Sequence, residues 1–162
     1  MTRLFLDCEW AGTLDSELVS LALVDEAGRH RSYSEVNPLP KQPTEWVRAV
    51  VYPLLEHGYA AHQKVDFTLA LRTFLAQFED PFVLFDCRSD GVLFGDALCG
   101  FDLPDTVLAR LPPPPRVSQT SIARDDVRGA SNSISASIPS MLATSAMQAS
   151  MLRPCDGHLR PC

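Results

Sequence analysis

RLFLDCE at residues 3–9 is the stretch that decides the fold of this 162-residue chain, because it predicts the first strand. The apolar run at residues 4–6 is too short for a core helix, so it predicts a buried strand. ELVSLALV at residues 17–24 predicts a second strand, and residues 30–36 alternate well enough for a third. Because DEAG at residues 25–28 favours a turn, the three strands are expected to form an antiparallel meander.

Helical patterns follow the meander, which Pro38, Pro40 and Pro43 end. Thr44 is expected to cap the first helix and Pro53 to end it, since proline lacks the backbone N–H that a helix interior needs. The further predicted elements are a helix over residues 66–78, a strand over 82–85, a loop over 86–90 and a helix over 91–98. This order predicts an α/β fold in which helices flank a mixed sheet.

Composition limits the class of protein. The chain has room for one ordinary domain. Its 14 Lys and Arg residues against 20 Asp and Glu give a net charge of -6, so a nucleic acid would have to be bound locally. Five cysteines without a Cys-x-x-Cys pair favour reduced thiols over a disulfide framework. With neither a secretory leader nor a membrane-length apolar stretch in the sequence, we expect a cytoplasmic protein without a membrane partner.

The chain changes character after its four consecutive prolines at residues 112–115. Residues 118–128 are compatible with one more polar helix. Residues 129–162 are rich in small and polar residues without a steady apolar period, so they lack the face that a packed element needs. We therefore divide the chain into a domain over residues 1–128 and an aberrant low-complexity tail over residues 129–162.

Asp7 and Glu9 are the first candidates for chemistry. They end a predicted strand two residues apart, so their side chains point to the same side. Two crowded carboxylates repel each other unless a cation is present, and oxygen ligands favour Mg²⁺ or Mn²⁺. The alternative interpretation is that Asp7 caps a turn and Glu9 is solvated.

Asp90 is the third candidate, at the predicted junction of a strand and a helix. A carboxylate there could join Asp7 and Glu9 in holding two ions on one phosphate, where the metals would activate water and stabilise the leaving oxygen. The alternative interpretation is that Asp90 is only the N-cap of its helix.

The combined order of these segments resembles the DEDD-type 3'→5' exonucleases of the ribonuclease H-like superfamily. The likeness covers residues 3 to about 128 and rests on residues 5–9, 17–21, 46–53 and the Asp90 segment. Within this superfamily, the chain most resembles the branch of small bacterial exoribonucleases that are similar to exoribonuclease AS. The resemblance implies a mixed five-stranded sheet, two Mg²⁺ or Mn²⁺ ions, single-stranded RNA 3' ends as substrate and a homodimer as one assembly.

The resemblance also implies roles for individual residues. Asp7 and Glu9 match the first motif, and Asp90 matches the second better than Asp86 does, because Val92 and Leu93 follow Asp90 at the expected interval. These three carboxylates would be the catalytic metal ligands. Trp10 and Ser20 would line the terminal nucleotide, although Trp10 is also compatible with an ordinary core position.

The pattern breaks at the C-terminal end. The family closes its site with a helix bearing His-x-x-x-x-Asp, in which His is the general base and Asp a metal ligand. Residues 129–162 contain no such motif. Back-translated and read one base earlier, this tail permits a helix-like string with His followed later by Asp, so we infer a frameshift near Arg128 or Gly129. An impaired exoribonuclease is then expected; the alternative is an inactive remnant or a noncatalytic nucleic-acid or interaction domain.

Overall fold

A six-stranded mixed sheet organises the chain in a computed structural model that describes residues 1–12 and 17–122. The strands are β1 (Thr2–Trp10), β2 (Leu18–Asp25), β3 (Arg31–Val36), β4 (Ala61–His62), β5 (Pro81–Phe85) and β6 (Ser118–Ser121). The helices are α1 (Lys64–Leu75), α2 (Arg88–Cys99) and α3 (Asp105–Leu108). The spatial order of the strands is β4-β3-β2-β1-β5-β6. The α/β class predicted from the sequence is confirmed.

The leading meander has the predicted antiparallel pairing. β1 pairs with β2 from Leu4 opposite Asp25 to Glu9 opposite Ser20, and β2 pairs with β3. The turn between β2 and β3 places Gly28 at a φ of 67°, which a residue without a Cβ adopts without strain. Because β5 returns beside β1 in parallel, the N-terminal strand lies in the centre of the sheet.

The main core lies between the sheet and helices α1 and α2. Alternate residues of β1, Leu4, Leu6 and Cys8, point into it and are buried. The side chains that α1 and α2 add to this core are Phe67, Leu71, Phe74, Leu75, Phe94 and Ala97. No helix in the described part of the chain is long and apolar enough to cross a membrane.

A crossing segment, which we define as residues 44–60, runs over the end of the sheet between β3 and β4. Its helical part begins as predicted at Thr44, whose hydroxyl accepts a hydrogen bond from the backbone N–H of Val47 at 3.3 Å. The helix does not end at Pro53. A π-helical stretch, Val47–Val51, continues into a 3-10 turn, Tyr52–Leu54, which tolerates proline near its start.

Two expectations about the sheet are wrong. The resemblance implied five strands, whereas the sheet that the described residues form has six. Residues 118–121 do not form the start of a polar helix but strand β6, which pairs in parallel with Phe82–Phe85. Hydrogen bonds offered by the edge of β5 override a weak helical pattern, which periodicity alone does not reveal. The tail over residues 129–162 and its frameshift lie outside the described residues.

Arg72 is a buried cation that ties α1 to the segment after α2. Its guanidinium donates hydrogen bonds to the backbone carbonyls of Leu98 at 2.9 Å, Cys99 at 3.2 Å and Pro112. The side chain therefore joins the C-terminal end of α2 to the start of the proline run. Three charge-assisted hydrogen bonds offset the cost of burying the cation.

We expect Arg72→Met to lower the free energy of unfolding by about 2–4 kcal/mol, because it leaves three carbonyl groups without their donor. Urea denaturation followed by circular dichroism measures the change. Arg110→Met is the matched control, since Arg110 is exposed, and it should change stability by less than about 0.5 kcal/mol. Equal effects of the two substitutions would contradict this role of Arg72.

Candidate active site

The candidate site lies where β1 extends past its neighbour β5. Pairing between these two strands stops at Phe5 opposite Leu84, whereas β1 continues to Trp10. The chain leaves β5 at Phe85 and enters α2 at Arg88, beside the last residues of β1. The sheet thus opens a notch at the C-terminal end of β1, where the connection from β5 to α2 approaches Asp7 and Glu9.

Asp7 and Glu9 both lie inside β1 and share one face of the sheet. Asp7 is opposite Ala22 and Glu9 is opposite Ser20, so Asp7 does not cap a turn. Glu9 is only 2% exposed, and neither of its carboxylate oxygens is accessible to solvent. The alternative interpretation of a turn cap beside a solvated glutamate is therefore wrong, and the carboxyl of Glu9 sits in a position that is costly for an ionised group.

Asp90 lies in the first turn of α2 and is 1% exposed. The N-cap of α2 is Cys87, and no side chain forms a capping hydrogen bond, so the N-cap interpretation of Asp90 is wrong. Gly91 allows this turn to approach the sheet, because a Cβ at position 91 would collide with the ring of Phe85. The backbone carbonyl of Asp90 lies 3.9 Å from Sγ of Cys8. Asp90 is thus held against β1 by packing.

Electrostatics couples Asp90 to the β1 carboxylates. Burial, followed by the negative charges of Asp7, Asp86 and Glu9, raises the pKa of Asp90 from 3.8 to about 8. Burial and the charges of Asp90, Asp7 and Glu9 likewise raise the pKa of the Cys8 thiol. The negative charges of the three predicted ligands therefore repel one another in an environment where water screens charges poorly. The exposed Asp86 adds a further negative charge at the edge of the candidate site.

The fit of this site to a metal ion is electrostatic rather than geometric. Oδ1 of Asp90 is buried and has no hydrogen-bond partner in the described residues, and a cation would relieve both its desolvation and the repulsion around it. Yet nowhere in residues 1–12 and 17–122 do three or more His, Cys, Asp or Glu side chains form a group that could hold a metal. The prediction of two metal ions stays a prediction.

The two predicted substrate-binding residues differ in position. Trp10 is partly buried and packs against the main core, as its alternative interpretation expected. Ser20 is buried between Glu9 and Glu35 on neighbouring strands and shares a hydrogen bond with Tyr33. Neither placement tests a contact with a nucleotide.

Sequence reasoning missed Glu35. Its carboxylate is 1% exposed and accepts hydrogen bonds from the Tyr33 hydroxyl at 2.9 Å and from the backbone N–H groups of Glu56 at 2.6 Å and His57 at 3.0 Å. The only sequence signal was an acidic residue at a position of β3 that faces the same side as Tyr33. Its backbone partners are 21 and 22 residues away, so no local pattern could reveal them.

A scan of the chain against protein-family models finds no match, and neither does a search of the curated proteins.

Proposed function

We propose that this chain is a metal-dependent 3'→5' exoribonuclease domain of the DEDD type that would act on single-stranded RNA 3' ends. The loss of its closing motif would impair this activity. The observation that carries the proposal is the buried Asp90, whose pKa is raised to about 8 by burial and by the nearby acids. Such a cluster destabilises a fold unless something offsets its charge, and perturbed acids mark functional sites. The resemblance of the segments around Asp7, Glu9 and Asp90 supplies the reaction class.

Asp7, Glu9 and Asp90 would hold the Mg²⁺ or Mn²⁺ ions. Bound there, the ions would supply an activated water and stabilise the leaving oxygen of the scissile phosphodiester. Asp90 holds a proton below about pH 8 when no cation is present, so cation binding is expected to release that proton and to strengthen as pH rises. The homodimer and the cytoplasmic location remain parts of the same proposal.

The test is shortening of a 5'-labelled oligoadenylate by the purified chain at pH 8, with Mg²⁺ or with EDTA. We expect slow, Mg²⁺-dependent removal of nucleotides from the 3' end, which Asp7→Asn and Asp90→Asn both abolish. Asp96→Asn is the matched control, because Asp96 is an exposed acid on the same helix as Asp90. Cleavage that persists in EDTA or in both active-site variants would come from another nuclease and would refute the assignment.

The second candidate is a noncatalytic remnant that binds RNA or another partner. The observation that favours it is the sequence of residues 129–162, which does not contain the closing His-x-x-x-x-Asp motif. It predicts oligoadenylate binding without shortening, whatever the metal. The same assay therefore separates the two candidates.

A further inference from the structure

The pairing of β1 with β5 places Asp86 at the notch beside Asp7. The two strands run in parallel, and their last pair is Phe5 opposite Leu84. Asp7 stands two residues beyond Phe5, and Asp86 stands two residues beyond Leu84, directly after the end of β5. Side chains two apart in an extended chain point to the same side. The register therefore brings Asp7 and Asp86 to matching positions on the two sides of the notch.

The charge of Asp86 also reaches the buried Asp90. Among the negative charges that raise the pKa of Asp90, that of Asp86 ranks after Asp7 and ahead of Glu9. Asp86 is exposed, whereas Glu9 is buried, and water screens an exposed charge more strongly. Asp86 must therefore lie near Asp90 to act on it more strongly than Glu9 does.

Asp90 presents a buried oxygen to these acids. Its side chain is 1% exposed, and Oδ1 has no hydrogen-bond partner among the described residues. A buried carboxylate oxygen without a donor is costly, and the neighbouring negative charges add to that cost. The group that would offset both costs is a cation, and oxygen ligands suit a hard divalent one.

The described fold gives Asp86 little structural work. The N-cap of α2 is Cys87, and no side chain forms a capping hydrogen bond, so Asp86 does not cap this helix. Within the described residues, the exposed Arg88 forms no ion pair with Asp86, although it is only two residues away. The N-terminal end of α2 favours a negative charge nearby, but this does not require an acid that acts on Asp90.

We propose that Asp86 is a fourth carboxylate of the cation site, next to Asp7, Glu9 and Asp90. This inference rests on the proposed function and extends its ligand set by one residue. Asp86 is the exposed member of the four, so it faces the solvent side of the site, where Mg²⁺ or Mn²⁺ keeps bound water that a carboxylate can accept hydrogen bonds from. A ligand that acts through water does not need to belong to a compact group of three acidic side chains, and the described residues contain no such group.

The test measures the Mn²⁺ affinity of the full chain at pH 8, without RNA, from the electron paramagnetic resonance signal of free Mn²⁺. We expect Asp86→Asn to weaken Mn²⁺ binding about 10-fold, because the attraction between a divalent ion and a nearby unit charge in water is of about that size. Asp86→Glu keeps the charge and should bind like the parent chain. The effect of Asp86→Asn should shrink in high salt, since an exposed charge is screened there.

Two further variants make the result decisive. Asp96→Asn is the matched control, because it removes the same charge from an exposed position of α2, and it should leave the Mn²⁺ affinity unchanged. Asp90→Asn should abolish binding and so reports on the proposed site itself. If Asp90→Asn abolishes binding and Asp86→Asn binds as tightly as Asp96→Asn, Asp86 is only a solvated acid and the proposed function stands. If the parent chain binds no Mn²⁺, or if Asp90→Asn binds it like the parent, both are wrong. Equal weakening by Asp86→Asn and Asp86→Glu would overturn the proposal, because the charge would then not be what matters.

Discussion

A chain whose reading frame is restored after Arg128 is expected to remove nucleotides from single-stranded RNA about 10²–10⁴-fold faster than the chain as written. The factor is the contribution of one general base to such a reaction, which the closing His of the resembled family would supply. The accompanying Asp would add a carboxylate to the acids around Asp90 and strengthen cation binding further. Single-turnover shortening of a 5'-labelled oligoadenylate in Mg²⁺ measures both rates.

The control for this comparison is Asp7→Ala in the restored chain, which should abolish shortening because it removes a carboxylate of the candidate site. A substitution of the exposed Asp105 to Ala should leave the rate unchanged. The frameshift hypothesis and the metal-site hypothesis both fail if the chain as written degrades RNA at the restored rate and does so independently of Asp7.

Local sequence patterns were sufficient for strands β1, β2, β3 and β5 and for the positions of Asp7 and Glu9. Short apolar runs and the turn at residues 25–28 predicted the meander within one or two residues of its observed bounds, since alternation and turn chemistry are local properties. The same alternation placed both carboxylates on one face, and their neighbours on β2 confirm it. Thr44 likewise caps its helix as its residue type predicted.

Features that depend on distant contacts were not predictable. The buried position of Asp90 depends on the close approach of Gly91 to Phe85, which the sequence shows only as a glycine. β6 depends on the free edge of β5, and Glu35 on backbone groups of a loop more than 20 residues away. In each case the deciding interaction joins segments that fold together only when the sheet forms, so local propensity does not encode it.

The buried acids give a physical reason to expect that a bound cation would stabilise the fold. Asp90 is ionised in the unfolded chain above its ordinary pKa of 3.8, whereas in the folded chain it keeps its proton up to about pH 8. The folded state therefore binds more protons between these two values, and the free energy of unfolding falls as pH rises through that window. Above about pH 8 the loss is complete.

Asp90→Asn is therefore expected to be more stable than the parent chain at pH 9, with the difference between them widening by a few kcal/mol from pH 5 to pH 9, since each pKa unit corresponds to about 1.4 kcal/mol. Asn keeps the shape of the side chain without its charge.

Mg²⁺ at pH 9 should raise the melting temperature of the parent chain and leave that of Asp90→Asn nearly unchanged, because the cation offsets the charge that the variant lacks. Asp96→Asn, at an exposed position of the same helix, should follow the parent chain in both respects. Thermal melts from pH 5 to pH 9, with and without Mg²⁺, measure both effects. If the difference in stability between the parent chain and Asp90→Asn is constant over this range, Asp90 is ionised throughout and the acids do not act as a coupled cluster.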